Sequence, residues 1–592
     1  MTRSGRADAP SPFAGQVDVL FGNLSGQSSR KLLAVTATVA GAALAELAML
    51  AAVLLFVGSL LDGGTSLEVL GIENLASPPA AAVLLIVGAL AATALRLLVL
   101  RTGQAFATSV GHQIARRIFA RLLRQPLVSY STRDSSIVLS GMEKVQVLVT
   151  AILLPLVQAA TGAAIAMALL VALISISPAS ALTAIGFLGS AFLLTSLILR
   201  RRLIGNSERV ASMSRARIRA VQEALGSIRD ILLDGSQHVF EHRFARFDKA
   251  FREAHASNLF LAAAPRYFVE AAGVIAIAVV AMVMSSAMGG LHQALPSLAA
   301  VTFIAYRLLP LVQQSYFGWS QLAGNRGALG DVLTLLSMPV EDEPASFARA
   351  VEPLTRDIVF DQVSFAYPGL AAILRNIDLR IEAGDRVGIS GATGSGKSSL
   401  LDLLMGLVEP TSGEVRIDGR ILDKPGRAAW RTQIAHVPQR IFLLDATILE
   451  NIAFGRAAEE IDLERAWRAA RIAQLEPTIL SLPQQYRSMI GENGIRLSGG
   501  ERQRLGIARA LYRNASVLVL DEATNALDHE TEARLLAAIA REHCGTLVIA
   551  AHRASSLSIC DNVFIVEDGH LRRALAPLGA SRKPSGKRTR SR

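Results

Sequence analysis

Over the first half of the chain, long apolar runs alternate with stretches rich in arginine. The runs fall at about Leu32–Leu61, Pro79–Leu100, Val147–Ile176, Ala179–Leu199, Val269–Met288 and Leu298–Phe317. Each reaches the roughly 20 residues that a helix needs to cross a bilayer. Six spans return both chain ends to one side. The link after the first run holds Asp62, Glu68 and Glu73 and no Lys or Arg. The next carries Arg101, Arg116, Arg117, Arg121, Arg124 and Arg133, and the fourth run is followed by Arg200, Arg201, Arg202, Arg209, Arg215, Arg217 and Arg219. The link between the last two runs offers only His292 as a cation. Basic links face the cytoplasm, so the N-terminus is expected there. Within the two long basic links apolar residues recur at helical spacing, as in 218–225. The spans should therefore continue as helices well into the cytoplasm.

Polarity rises after Met338. The expected division is a disordered segment 1–25, a transmembrane domain 26–338, a linker 339–355, a soluble α/β domain 356–578 and a basic disordered tail 579–592. An overall 51% apolar, 18% charged composition over 592 residues fits a membrane half joined to a soluble half. The net charge of +11 would suit a nucleic-acid partner, but much of it flanks the apolar runs, so no nucleic acid is expected. Six basic residues in Ser581–Arg592 read as a solvated tail or as a contact for anionic lipid headgroups. Cys544 and Cys560 lack metal-ligand spacing and read as free thiols in a cytosolic domain. The first 30 residues show no cleavable signal pattern.

Some ionisable residues lie in or beside the spans. Glu46 is the deepest, and either a cavity-facing role or an interhelical hydrogen bond would suit it. Arg96, Arg266 and Arg307 sit nearer span ends, where snorkelling is the simpler reading, although as a set they would attract an anionic headgroup. Glu270 lies one helical turn beyond Arg266.

The soluble half carries the chemistry. Gly391-Ala392-Thr393-Gly394-Ser395-Gly396-Lys397-Ser398-Ser399 follows the strand-like 385–390 and precedes an apolar helix. That strand–loop–helix context is the phosphate-binding P-loop (Walker A). Glycines let backbone N–H groups curl around phosphate at a helix N-terminus. Lys397 reaches the outer phosphates and Ser398 holds Mg2+. Downstream, Val517-Leu518-Val519-Leu520-Asp521-Glu522 reads as a buried strand ending in two acids. Asp521 is placed to bind Mg2+ and Glu522 to polarise the attacking water.

Leu497-Ser498-Gly499-Gly500-Glu501 makes a resemblance specific. The chain resembles an ATP-binding cassette (ABC) transporter half-subunit of the six-span exporter type: an α-helical six-span transmembrane domain fused to a P-loop α/β ATP-binding cassette. The resemblance implies that Ser498, Gly499 and Gly500 cap the γ-phosphate held by a second subunit. It implies adenine stacking on Tyr367, Mg2+ sensing by Gln439, an inter-domain loop at Glu492, an interface-crossing loop at Asn525-Ala526-Leu527-Asp528 and a switch histidine at His552. Asn525 departs from the serine usual there. ATP and Mg2+ are the implied cofactors, and Glu522, His552 and Gln439 the implied catalytic group.

One chain carries half of each ATP site under this pattern, so a homodimer is expected, with a heterodimer as the alternative. Coupling contacts are expected from 129–139 and from a short segment of the second basic link. Residues 224–235 and Pro265-Arg266-Tyr267-Phe268-Val269-Glu270 are also similar to flippases of polyprenyl-linked oligosaccharides. That implies a bacterial inner-membrane protein moving a lipid-linked glycan outward. Export of hydrophobic drugs or simple lipids, or of peptides or proteins, are the alternatives. Soluble cassette ATPases of DNA repair or translation lack a six-span half.

Overall fold

The computed structural model describes residues 26–61, 78–131, 135–176, 178–287, 291–340, 353–543 and 545–574. The segment 1–25, the acidic link 62–77, Arg133, most of the linker, Cys544 and the tail lie outside them. The described residues fall into two compact units that divide after Val340.

The first unit is helical: α1 (Gly26–Leu61), α2 (Pro78–Leu123), then α4 (Ser135–Val147), α5 (Leu154–Ile176), α6 (Pro178–Gly226), α7 (Ile228–Asp234), α8 (Gln237–Ala263), α9 (Pro265–Ala287), α10 (Leu291–Gly324) and α11 (Arg326–Leu336). The short helix α3 (Leu127–Ser131) belongs to the second unit, where Val128 packs on the core. That helix lies at the N-terminal edge of the expected coupling segment 129–139 and starts before it. Among the described residues, three stretches are long and apolar enough to cross a membrane: Ser29–Val57, Pro78–Leu123 and Ser140–Ser175. They make the chain a multi-pass membrane protein by length and composition. The fourth and sixth expected spans fall within α6 and α10, and the fifth within α9 except for Met288, which lies outside the described residues.

At about 1.5 Å per residue, the 49 residues of α6 extend roughly 74 Å, more than twice the hydrocarbon thickness. The surplus carries the arginine-rich sequence. Charges hold this end of the bundle together. Asp331 on α11 accepts from Arg215 on α6 at 2.7 Å and pairs with the buried Lys144 on α4. Arg217 reaches Asp248 on α8 at 3.1 Å and lies 4.3 Å over the Phe251 ring.

The second unit is α/β. A four-stranded antiparallel sheet runs in the order β2 (Leu374–Glu382), β1 (Asp357–Phe365), β4 (Ser412–Ile417), β5 (Arg420–Ile421). A six-stranded sheet runs β10 (His570–Arg573), β9 (Asn562–Glu567), β3 (Arg386–Gly391), β8 (Thr546–Ala550), β7 (Val517–Asp521), β6 (Ile434–Val437). All its neighbours are parallel except β10 against β9. The apolar run of β7 is explained by two covered faces. Val517 and Val519 join one core cluster with Leu400 and Val548, while Leu518 and Leu520 join another with Leu505 and Leu535. Helices α12 (Lys397–Leu404), α13 (Lys424–Thr432), α14 (Ile448–Ile452), α15 (Leu463–Ile472), α16 (Glu476–Ser481), α17 (Gly499–Arg513), α18 (His529–Glu542) and α19 (Ala554–Leu557) complete the unit. Cys560 is a half-buried free thiol, its pKa pushed up to about 12 by burial and then by Asp561, so it is inert at neutral pH.

His436 on β6 has a buried Nε2 with no hydrogen-bond partner, and burial pushes its imidazole down to about 4. The unfolded chain takes up this proton near its ordinary 6.5. Between those values the unfolded state binds more protons, so stability falls as pH drops through the window, by on the order of 3 kcal/mol. Thermal unfolding of the His436→Leu chain should therefore depend less on pH between roughly 6.5 and 4 than that of the unaltered chain.

Candidate nucleotide site

Strand order builds the site. The adjacent parallel strands β3, β8, β7 and β6 end, at their C-terminal edge, in the P-loop, His552, Asp521-Glu522 and Gln439 respectively. The register keeps those ends level: Ile389 pairs with Ala550, Asp521 with Ala550 and Val437 with Leu520. Ligands of open α/β sheets bind outside this edge.

The loop from β3 to α12 needs its glycines. Gly391 has φ +153, and a Cβ there would lie 2.5 Å from the Val566 carbonyl oxygen. Gly396 caps α12 at φ +106. Lys397 is 6% exposed, and its Nζ donates to the Gly391 and Ala392 carbonyls at 2.9 and 3.0 Å. Burial holds the ammonium below its ordinary pKa, while Glu522 and Asp521 act against that. Gly394 has φ +83 in the loop that also holds Thr393 and Ser395, and Ser399 is buried in the first turn of α12. Ser395 Oγ is buried with no hydrogen-bond partner, as a phosphate-facing hydroxyl would be.

Ser398 Oγ donates to Asp521 Oδ2 at 3.3 Å, which brings the two expected Mg2+ ligands together. Burial raises the Asp521 pKa, with Glu522 adding to it and Ser398 and Lys397 opposing. Glu522 stands at φ +50, a conformation costly for a residue with a Cβ and common where chemistry fixes a side chain. Its Oε1 is 2.7 Å from His552 Nε2, and its Oε2 accepts from Gln439 Nε2 at 2.6 Å. His552 Nε2 also lies 3.2 Å from Lys397 Nζ. The three expected catalytic side chains thus meet at one carboxylate.

Other expected residues stand apart from this cluster. Tyr367 packs edge-on to Phe365 at a centroid distance of 4.9 Å. Ser498 caps α17, its Oγ accepting from Glu501 N at 3.3 Å while Glu501 Oε2 accepts from Ser498 N at 2.7 Å. Gly499 and Gly500 open that helix beside Ala526 and Leu527. The Asp528 carboxylate caps α18 by accepting from Thr531 N at 2.9 Å, which lowers its pKa. The sequence placed it among the nucleotide contacts, and here it stands at the helix N-cap. Glu492 opens a short 3-10 turn, 492–494.

Sequence reasoning missed two contacts. Asn525, read as the opening of an interface-crossing loop with asparagine in place of serine, donates from Nδ2 to Glu522 Oε2 at 3.1 Å. Its spacing, three residues beyond Glu522, was the available signal. The buried Glu46 in α1 pairs with Arg96 of α2 and lies 3.9 Å from Arg307 of α10. Nothing in the sequence links those three positions.

The arginines belong to a cavity of about 950 Å3 within the membrane unit. Arg96, Arg266 and Arg307 all line it, together as a set able to attract an anionic headgroup. Glu46 neutralises part of the charge of Arg96 and Arg307, and Glu270 accepts from Arg266 at 2.7 Å one turn along α9. Counter-ions on the helices themselves offset the cost of guanidiniums beside apolar wall.

Paired acids, a P-loop lysine and a histidine at one sheet edge define a P-loop nucleotide-binding domain, carried in one chain with membrane helices. Residues 374–525 match the ABC transporter family. The ATP-dependent lipid A-core flippase of Cupriavidus pinatubonensis is 39% identical over 243 residues, 40% of this chain and 41% of that one. The flippase of the same name in Escherichia coli strain K12 is 40% identical over 231 residues, 39% of this chain and 40% of that one. An uncharacterized ABC transporter ATP-binding protein of Bacillus subtilis is 42% identical over 256 residues, 43% of each chain. The chain spans about two fifths of the length of the curated relatives it matches. The solved structure of a bacterial Atm1-family ABC exporter with ATP bound superposes with a TM-score of 0.79 at 23% identity, covering 92% of this chain and 94% of that one. The chain therefore has the fold of an ABC exporter subunit, with an ABC-type nucleotide-binding domain consistent with ATP-hydrolysing transport. ATP and Mg2+ are the cofactors typical of such a domain, and the residues above fit them.

Proposed function

We propose that the chain is one half of an ATP-hydrolysing flippase that moves an anionic amphiphile, a polyprenyl-linked oligosaccharide or a related lipid, outward across a bacterial inner membrane. Six spans, a cytoplasmic N-terminus and a homodimer with two shared ATP sites complete the reading. The carrying observation is the cavity: three guanidiniums against two carboxylates leave it a net positive charge beside apolar wall, which suits a phosphate headgroup and a lipid tail. Likeness to lipid A-core flippases, whose named substrate is itself a lipid, supports it.

In the cycle, the P-loop amides and Lys397 hold the phosphates, while Ser398 and Asp521 are the protein ligands that would hold Mg2+. That ion, when bound, neutralises charge on the phosphates. Glu522, fixed by Gln439, Asn525 and His552, orients the attacking water. Ser498, Gly499 and Gly500 at the α17 N-terminus cap the partner's nucleotide. Cassette closure reorients the cavity in the membrane unit.

Hydrolysis by the purified chain in nanodiscs tests the substrate class. Polyprenyl pyrophosphate should stimulate it and the uncharged polyprenol should not. Equal stimulation by both would favour a hydrophobic-drug or simple-lipid exporter.

A further inference from the structure

A fully buried carboxylate among the described residues lies near the nucleotide site and is not used by the cycle above. Glu532, in the first turn of α18, is 1% exposed. Its Oε1 accepts from Thr524 Oγ1 at 2.7 Å and from Ser556 Oγ at 2.5 Å, and its Oε2 accepts from Ser555 Oγ at 3.2 Å. The donors come from two different loops. Thr524 lies between Glu522 and the segment Asn525–Asp528. Ser555 and Ser556 lie in α19, three and four residues past His552. A second tie runs the other way. Arg553 donates from Nη2 to the Asn525 carbonyl at 3.2 Å and from Nη1 to the Leu527 carbonyl at 3.4 Å.

We infer that Glu532 is a positioning residue that locks the His552 loop and the Asn525–Asp528 loop into one moving body. Three hydroxyl donors on one buried carboxylate make charge-assisted bonds, stronger than neutral ones and costly to break inside a core. Arg553 closes the other side, so the two loops cannot separate without exposing the Glu532 carboxylate or releasing the carbonyls. Both loops end on Glu522: His552 Nε2 on Oε1 at 2.7 Å and Asn525 Nδ2 on Oε2 at 3.1 Å. A displacement of residues 525–528 therefore reaches both oxygens of the general base together. The segment also receives the α17 N-terminus, through Ala526 N donating to Gln503 Oε1 at 2.9 Å. The clasp thus connects the phosphate-capping helix of a subunit to that subunit's own general base.

This inference rests on the ATP-hydrolysing reading, and the test separates the two. The full chain is purified as Glu532→Gln, Thr524→Val, Ser555→Ala and the last two combined, with Glu522→Gln as control. ATP affinity and kcat are measured per folded molecule. Glu532→Gln should bind ATP within about twofold of the unaltered chain while kcat falls at least about tenfold. Thr524→Val and Ser555→Ala should each lower kcat, and their combination should lower it by less than the product of the two, because they bond opposite oxygens of one carboxylate. That cycle remains readable if Glu532→Gln does not fold. A carboxylate that only supports the core would lower the melting temperature, leave kcat per folded molecule unchanged and give independent effects in the cycle. That result overturns the clasp. No hydrolysis by the unaltered chain would instead overturn the reading on which the clasp depends.

Discussion

Glu522→Gln is expected to leave ATP binding near its native strength while slowing hydrolysis by at least about 100-fold, the range typical of a lost general base. The argument is geometric. Glu522 is held at φ +50 by the turn that follows β7, and its two oxygens are addressed by His552, Gln439 and Asn525. Glutamine preserves shape and size but cannot accept a proton from water. The P-loop amides, Lys397 and Ser398 remain, so the nucleotide should still bind. Nucleotide binding and phosphate release, measured on the same preparation, check both halves of the statement. Weak ATP binding in the variant would mean that Glu522 supports the loop and not the water.

Arg307→Gln is expected to weaken binding of a pyrophosphate lipid by about 10- to 100-fold, since a hydrogen bond to a charged group contributes roughly 1.5–3 kcal/mol. Arg307 is the more loosely paired of the two arginines on Glu46, at 3.9 Å, and its Nε has no hydrogen-bond partner. Its side chain lines the cavity, where a headgroup would meet it. Glu46→Gln should act in the opposite direction, because it removes the buried counter-charge from both Arg96 and Arg307. Tighter lipid binding with slower turnover is its expected signature. Arg96→Gln alone is a poorer probe. It strips the Glu46 carboxylate of its closest partner, and a buried unpaired charge costs about 3–5 kcal/mol of stability. Lipid-dependent ATPase titrations of the two informative variants check the prediction, and shifts of the same sign would contradict it.

The nucleotide half was legible because its chemistry is local in sequence. Residues 391–399 form one continuous loop, and Asp521 and Glu522 follow one apolar strand. Strand order could not be read, yet it is strand order that sets His552 and Gln439 on either side of Glu522. Those two positions were reached through the family resemblance and not from spacing. The Glu532 contacts were hidden because a glutamate four residues after Asp528 looks like any solvated residue on a helix. Only the fold shows that this turn of α18 is buried under α19.

In the membrane half, helix positions followed from apolar length, and the extensions from charge at helical spacing. Neither fixes which face of one helix meets another. Glu46, Arg96 and Arg307 are separated by 50 and 211 positions and meet only when α1, α2 and α10 pack. Read separately, each arginine near a span end suits the interface better than a cavity. Together, with a buried carboxylate between two of them, they line one chamber.

The most direct test is ATP-dependent transbilayer movement of a labelled polyprenyl-pyrophosphate oligosaccharide in proteoliposomes. Movement with the unaltered chain and none with Glu522→Gln is the predicted result. Equal label on both sides regardless of ATP, or no movement while the chain hydrolyses ATP, would contradict the flippase reading.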